Sequence, residues 1–231
     1  MFRVYSGGRV AAEVTRDLRR AIEWEENYNP ATHNLLEDFY NPVLANTVNA
    51  RRCLGYFRSS ALAAASVGYE KFCEHPDAKM RLIVGLEFTK EDHERILFSM
   101  KPEEIEEGAR ELIEKELSGD MPDFARSRLA GLSWMLAEGK MEIKFGVMLD
   151  EKTKKPLQWE YGKWHHKITA FEDECGNSAS INGSINETEQ AWMRNGDSFS
   201  TSPSWKGDWS SNTVTGNIKL FDKFWEVNGF N

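Results

Sequence analysis

Long apolar runs are missing from this chain of 231 residues. No stretch approaches the roughly 18 consecutive apolar residues that a membrane-spanning helix needs, and the N-terminus lacks the apolar segment of a signal peptide. We therefore expect a soluble, cytoplasmic protein that does not associate with a membrane. Its hydrophobic content of 40% is still enough for a sizeable core, and the length suits one large domain.

Cysteine is also scarce, with only Cys53, Cys73 and Cys175 in the whole chain. Their spacing matches no metal-ligand pattern, and an odd number does not suggest a disulfide framework. We expect the three thiols to be reduced. Neither a metal nor a cofactor is predicted.

An excess of positive charge is the third absence, because the formal net charge is −8. Affinity for a phosphate backbone comes largely from Lys and Arg, so this balance argues against simple nucleic-acid binding. Residues 103–123, however, contain nine acidic and two basic residues, a local charge of −7 that leaves −1 for the rest of the chain. We interpret this segment as a helix with a solvated face turned away from any nucleic acid.

The segments that are present predict an α/β fold. Arg51–Phe57 and Met80–Gly85 are typical of buried strands, and an alanine-rich helix from Ser59 to Phe72 lies between them. A strand, a helix and a strand in succession predict a parallel pair with a right-handed crossover. Further along, Met141–Leu149 and Trp159–Phe171 are predicted strands on either side of a lysine-rich turn, which favours a hairpin.

The remaining segments complete the predicted organisation of a single domain, 1–231. Residues 1–48 form an N-terminal arm with short helices, 87–140 a helical insert, and 141–231 the half with the candidate active site. The insert contains three helix candidates, and the C-terminal part contains a strand, a loop rich in Ser, Trp and Gly, and an amphipathic helix. The three helix candidates are 90–100, 102–117 and 122–138. The strand is 197–202, the loop is 203–216 and the amphipathic helix is 218–227.

Two short motifs in the C-terminal half carry the candidate chemistry. The first is His165-x-Lys167, whose side chains share one face of the predicted strand because residues two apart point the same way. The second is Gly183-Ser184-x-Asn186, and an acidic residue, Asp197, follows the asparagine by eleven positions. Each motif alone is common by chance. Their order and the position of the acid together favour a phosphoryl-transfer site.

This arrangement resembles the His-x-Lys and Gly-Ser-x-Asn signature of the phospholipase D superfamily, which includes lipases, metal-independent nucleases and restriction enzymes. The family usually has Glu where this chain has Asp197, and it has Asp where this chain has Glu172. The loop before Gly183 is also longer than usual. Residues 55–60 and 81–85 resemble, more weakly, the first part of phospholipase D-type domains in helicase-linked restriction and defence proteins. The resemblance implies a phospholipase D-like mixed sheet flanked by helices.

Each residue of the motifs has a predicted role in catalysis. Neutral His165 can attack a phosphodiester and form a phosphohistidine that water hydrolyses, which requires no metal. Asp197 is the candidate partner that fixes the histidine tautomer. Lys167 and Asn186 would stabilise negative charge on the phosphate oxygens. Ser184 would donate to the same oxygens or position His165.

Substrate contacts are predicted around these residues. Gly183 would let the backbone approach the phosphate closely. Lys155 and Lys163 belong to the lysine-rich turn and strand before His165 and are candidates for contact with a nucleic-acid backbone, although such turns are often only soluble surface. Trp205 and Trp209 are candidates for base stacking, because they follow Asp197 in a polar segment.

The chain contains one copy of the signature, whereas the family pairs two. The resemblance therefore implies a homodimer in which a second His165 is the general acid. The predicted function is a DNA endonuclease of a restriction or anti-phage defence system, with a helicase domain as a candidate partner on a longer chain. A phospholipid-cleaving enzyme and a catalytically silent module for nucleic-acid binding or dimerisation are the alternatives.

Overall fold

The computed structural model describes residues 15–55, 64–85, 134–153, 157, 162, 164–184 and 197–227. Within these residues the strands form one seven-stranded mixed sheet with the order β1-β7-β6-β5-β2-β3-β4. The strands are β1 (Asn27–Tyr28), β2 (Asn49–Leu54), β3 (Lys79–Gly85), β4 (Met141–Gly146), β5 (Ile168–Glu172), β6 (Ser178–Gly183) and β7 (Phe199–Pro203).

One half of the sheet is parallel. Strand β2 pairs with β3 and β3 with β4, all in the same direction. The predicted parallel pair is therefore confirmed, and the helix between its strands, α3, covers Ser66–Glu74. Four of the residues of β3 from Met80 to Val84 are buried apolar side chains, as expected for a strand that is covered on both faces.

The other half of the sheet is antiparallel and corrects one prediction. Strand β5 pairs with β2 on one side and with β6 on the other, whereas β4 pairs with β3. The predicted hairpin of Met141–Leu149 with Trp159–Phe171 is therefore wrong. Strands β2 and β3 lie between the two segments in the sheet. Strand β5 pairs with the edge of β2 that does not face β3.

Short helices cover one face of the sheet. These are α1 (Leu18–Ala21), a π-helical turn (Leu36–Tyr40) and α2 (Asn41–Ala45), together with α3. Helix α2 directly follows the π-helical turn, and Pro42 lies at the start of α2, where its missing N–H costs no hydrogen bond. The largest buried apolar side chains of this face are Tyr28, Phe39, Tyr40, Phe72, Phe171 and Phe199.

A single long helix, α4 (Asp208–Glu226), covers part of the opposite face. Its buried Phe221 packs with Cys53, Ile83 and Ile168 of the sheet. The loop predicted at 203–216 is therefore mostly wrong, since helix begins at Asp208. Tertiary packing outweighs the weak helix propensity of the Ser-, Asn-, Thr- and Gly-rich first half of α4.

Ion pairs fasten α4 to the sheet. The Nε atom of Arg51 lies 3.0 Å from Oδ1 of Asp222 and Nη2 of Arg81 lies 3.5 Å from the same oxygen. Arg51 also pairs with Glu172 of β5. At the end of the helix, Nζ of Lys144 donates to the carbonyl oxygen of Trp225 at 2.6 Å. These contacts attach the C-terminal part of α4 to β2, β3 and β4.

Several predicted segments lie outside the described residues. They are the start of the N-terminal arm, 1–14, the helix candidates 90–100 and 102–117, and most of 122–138, of which residues 134–137 are described and helical. Among the helices of the described ranges, none is both long and apolar enough to cross a membrane.

Candidate active site

The candidate site lies at the edge of the sheet where the parallel strands end. Strand β5 runs antiparallel to β2 and begins there, with Ile168 opposite Cys53. Residues 164–167 precede β5, so they cross this edge before the strand begins. His165 and Lys167 are thus just outside the strand that was predicted to contain them. In parallel sheets this edge is the common position of ligand sites.

His165 and Lys167 contact each other directly. The Nζ atom of Lys167 lies 2.8 Å from Nε2 and 3.1 Å from Nδ1 of the imidazole. An ammonium group has only donors, so a ring nitrogen that forms a hydrogen bond with Lys167 must be the acceptor. His165 is exposed and Lys167 is half-buried. The imidazole and the amine, the two groups of the predicted His165-x-Lys167 motif, therefore lie side by side at the protein surface.

Ser184 and Ser198 connect the second motif to the strand that follows Asp197. The Ser184 N–H donates to the carbonyl oxygen of Ser198 at 3.0 Å, and the Ser198 N–H donates to Oγ of Ser184 at 3.2 Å. Asp197, the preceding residue, is thereby held beside the end of β6. The close approach at Gly183 is to the protein itself, because a Cβ there would lie 2.6 Å from Cα of Phe199.

A small cavity opens beside Lys167. It has room for about one water molecule, and it is lined by Tyr40, Cys53, Leu54, Lys167, Thr169, Ile181 and Gly183. Burial raises the pKa of the Cys53 thiol to about 12, so this group stays protonated and is a poor nucleophile. Lys167 is the basic side chain of this lining.

The acidic residues after the lysine lie at the other end of β5. Glu172 pairs with Arg51, and the buried Asp173 accepts hydrogen bonds from the N–H of Leu18 at 2.7 Å and of Asn177 at 2.8 Å. Both carboxylates therefore hold the strand and its turn in place. Glu172, where the chain departs from the family pattern, therefore lies at the end of β5 that is away from His165.

Asn186, Lys155 and Lys163 lie outside the described residues, so their predicted roles stay predictions. The two tryptophans are described, and they lie away from the site. Trp205 packs edge to face on Trp24, with ring centroids 5.4 Å apart. Trp209 is 87% exposed and lies in the first turn of α4, at the opposite end of the sheet from His165, because β7 runs away from the site before the helix returns. Base stacking at the site by either residue is not supported.

No protein-family model and no curated protein sequence matches the chain. Its structure is similar to that of NucT from Helicobacter pylori. The TM-score is 0.50 with 10% sequence identity, and the similarity covers 88% of this chain and 97% of that chain. An identity this low concerns the fold alone. The predicted α/β class, a phospholipase D-like mixed sheet flanked by helices, is confirmed.

The fold shared with NucT brings residues to the site that sequence reasoning missed. The ring of Trp164 lies against Phe224 of α4 and against His166, with centroids 5.0 and 4.7 Å apart. Gly85 and Gly146 end β3 and β4, Gly55 directly follows β2, and all three lie next to this segment. Their signal in the sequence is a glycine at the end of a strand or directly after it, repeated three times.

Groups of three or more His, Cys, Asp or Glu side chains that could hold a metal ion do not occur within the part of the chain that the structure describes. His165, Lys167 and Ser184 contribute an imidazole, an amine and a hydroxyl group to this edge of the sheet.

Proposed function

We propose that this protein is a metal-independent phosphodiesterase that cleaves DNA, as an endonuclease module of a restriction or anti-phage defence system. The observation that carries the proposal is the 2.8 Å contact between Nζ of Lys167 and Nε2 of His165 at an exposed sheet edge. NucT, whose fold the chain shares, is a nuclease of the phospholipase D superfamily, which supports a nuclease-type activity.

The reaction proceeds in two displacements. A ring nitrogen of neutral His165 attacks phosphorus, the bond from phosphorus to the leaving oxygen breaks, and a protonated imidazole gives its proton to that oxygen. Water then attacks phosphorus, the phosphorus–nitrogen bond breaks, and the second imidazole, now neutral, takes the proton from water. Lys167 stabilises the negative charge on the non-bridging oxygens in both steps. Each histidine ends in the protonation state in which it began.

The second imidazole is His165 of another copy of the chain. The described residues around His165 bring no other histidine than His166 to this edge, and His166 is turned toward Phe224, with ring centroids 4.9 Å apart. A homodimer that pairs two of these edges across a two-fold axis would supply the missing acid. Ser184 and Asp197 would then act within each subunit, on the phosphate and on the tautomer of the imidazole.

Plasmid DNA in the presence of EDTA tests the activity. Nicking or linearisation by the wild-type protein, abolished by His165→Ala, supports the proposal. His75→Ala is the matched control, because His75 lies at the opposite end of the parallel strands, next to the start of β3, and its activity should equal that of the wild type. Cleavage of phosphatidylcholine but not of DNA would instead identify a lipid-cleaving enzyme. A verified dimer that cleaves neither would be a silent binding module.

Hybrid dimers test whether two histidines share one site. Co-expression of equal amounts of wild-type and His165→Ala chains gives about one quarter wild-type homodimers. Activity should therefore fall to about one quarter if both histidines are needed, and to about one half if each subunit acts alone. Sedimentation of the same samples shows whether the chains associate at all.

A further inference from the structure

At the candidate site β3 and β4 end in glycine, and the neighbouring parallel strand β2 is directly followed by one, Gly55. Gly85 of β3 is paired with Gly146 of β4. The pairing of Leu54 with Val84 places Gly55 next to Gly85 in the same row. These three residues, Gly55, Gly85 and Gly146, are here called the glycine row. They lie 91 positions apart in sequence from first to last, and only the sheet brings them together.

The segment before β5 fills the space that side chains of this row would occupy. A Cβ at Gly55 would lie 2.7 Å from Cδ2 of His165 and 3.1 Å from Nζ of Lys167. At Gly85 it would lie 2.7 Å from the carbonyl oxygen of Trp164, and at Gly146 it would lie 2.7 Å from Cε2 of the Trp164 ring. Residues 164–167 therefore rest directly on the backbone of the three strands.

The glycine row lies on the face of the sheet that α4 covers. Cys53 and Ile83 contact Phe221 of that helix, and Gly55 and Gly85 follow them by two positions, so they share the face. The helix ends at Glu226, and beyond its end residues 164–167 cover the same face of the sheet. Phe224 contacts Trp164 at the junction. Side chains in the glycine row would lift this segment away from the sheet.

We infer that the glycine row is a seat that sets the position of His165 for attack on phosphorus, which makes Gly55 and Gly146 positioning residues. The catalytic role of the glycine row rests on the proposed function, whereas its close approach to residues 164–167 is observed in the structure. Gly55 acts on the imidazole and on the ammonium at once. Gly146 acts through the ring of Trp164, the residue before His165.

Alanine variants test the seat by kinetics. Gly55→Ala should lower kcat for cleavage of a DNA oligonucleotide by about 10²-fold with KM little changed, because a displacement of about 1 Å misaligns the nucleophile. Gly146→Ala should lower kcat in the same way. Gly216→Ala is the matched control, because Gly216 lies in α4 with nothing within 4 Å of its added Cβ, and its kcat should equal that of the wild type.

Histidine-selective NMR keeps the test independent of activity. The chain has five histidines, and loss of one ring signal in His165→Ala assigns the signal of His165. Gly55→Ala should shift that signal while the melting temperature shows a folded protein, and Gly216→Ala should not. An unshifted signal, or a kcat within about threefold of wild type, would overturn the inference. If the wild-type protein cleaves no DNA but the signal shifts, the seat stands and the proposed function fails.

Discussion

The aromatic ring of Phe224 meets that of Trp164 edge to face, with centroids 5.0 Å apart and an angle of 76° between the rings. The same ring lies 4.9 Å from the ring of His166. Phe224 is in the last turn of α4, and the two residues that it contacts flank His165. Helix α4 therefore packs against the segment that carries the candidate nucleophile. The glycine row contacts the same segment from the sheet.

Removing this aromatic contact should weaken catalysis more than stability. Phe224→Ala should cost about 1–3 kcal/mol of unfolding free energy, because the side chain is only partly buried, and it should lower DNA cleavage by about tenfold or more through a loosened segment. Trp209→Ala, on the same helix but 87% exposed, should change neither quantity. Denaturant unfolding measures the stability of both variants, and oligonucleotide cleavage measures their activity. Equal activity of the two variants would show that Phe224 does not position His165.

Lys167 should act on charge that develops in the reaction. Lys167→Ala should lower kcat by about 10²–10³-fold, the typical cost of removing one group that stabilises transition-state charge. Lys206→Ala removes an exposed lysine near the start of α4 and should leave kcat unchanged. Single-turnover cleavage at increasing protein concentration separates this effect from a general loss of DNA affinity, since weakened binding is restored at high protein concentration. Full restoration of the rate would mean that Lys167 serves binding alone.

Gly216 should be a weak point of α4 that can be improved. It lies inside the helix and an added Cβ meets nothing within 4 Å, so Gly216→Ala should raise the unfolding free energy by about 0.5–1 kcal/mol through helix propensity. Gly68→Ala in α3 should do the opposite, because its Cβ would lie 2.8 Å from Cα of Asn41. Thermal unfolding checks both. A decrease for Gly216→Ala would show that α4 needs flexibility at this position.

The buried thiol of Cys53 should make stability depend on alkaline pH. Its pKa is raised by burial from 9.0 to about 12, so the folded state keeps the proton over a range in which the unfolded state loses it. The contribution is complete below pH 9 and is lost as pH rises toward 12, with a slope of up to about 1.4 kcal/mol per pH unit. Unfolding in urea between pH 8.5 and 10.5 should show a shallower decline for Cys53→Ala. Parallel declines would place the thiol in contact with water.

The strands were predictable where the signal is local. Buried strands such as β3 are read from short runs of apolar residues, and the match between predicted Met80–Gly85 and observed Lys79–Gly85 reflects this. Helix α4 was only half predicted. Its first half has the composition of a loop, and it is helical because Val214 and Phe221 are buried against the sheet, which a propensity argument cannot include.

The spacing of His165 and Lys167 predicted that their side chains share one face of a strand. The two side chains do contact each other, although both residues precede β5 instead of lying within it. Partners far apart in sequence were decided only by the tertiary structure: β5 beside β2 rather than β4, Trp209 at the far end of the sheet, and three glycines aligned against residues 164–167. The reason is physical. Local geometry is set by neighbouring residues along the chain, whereas strand order and the space above a backbone are set by which surfaces pack together.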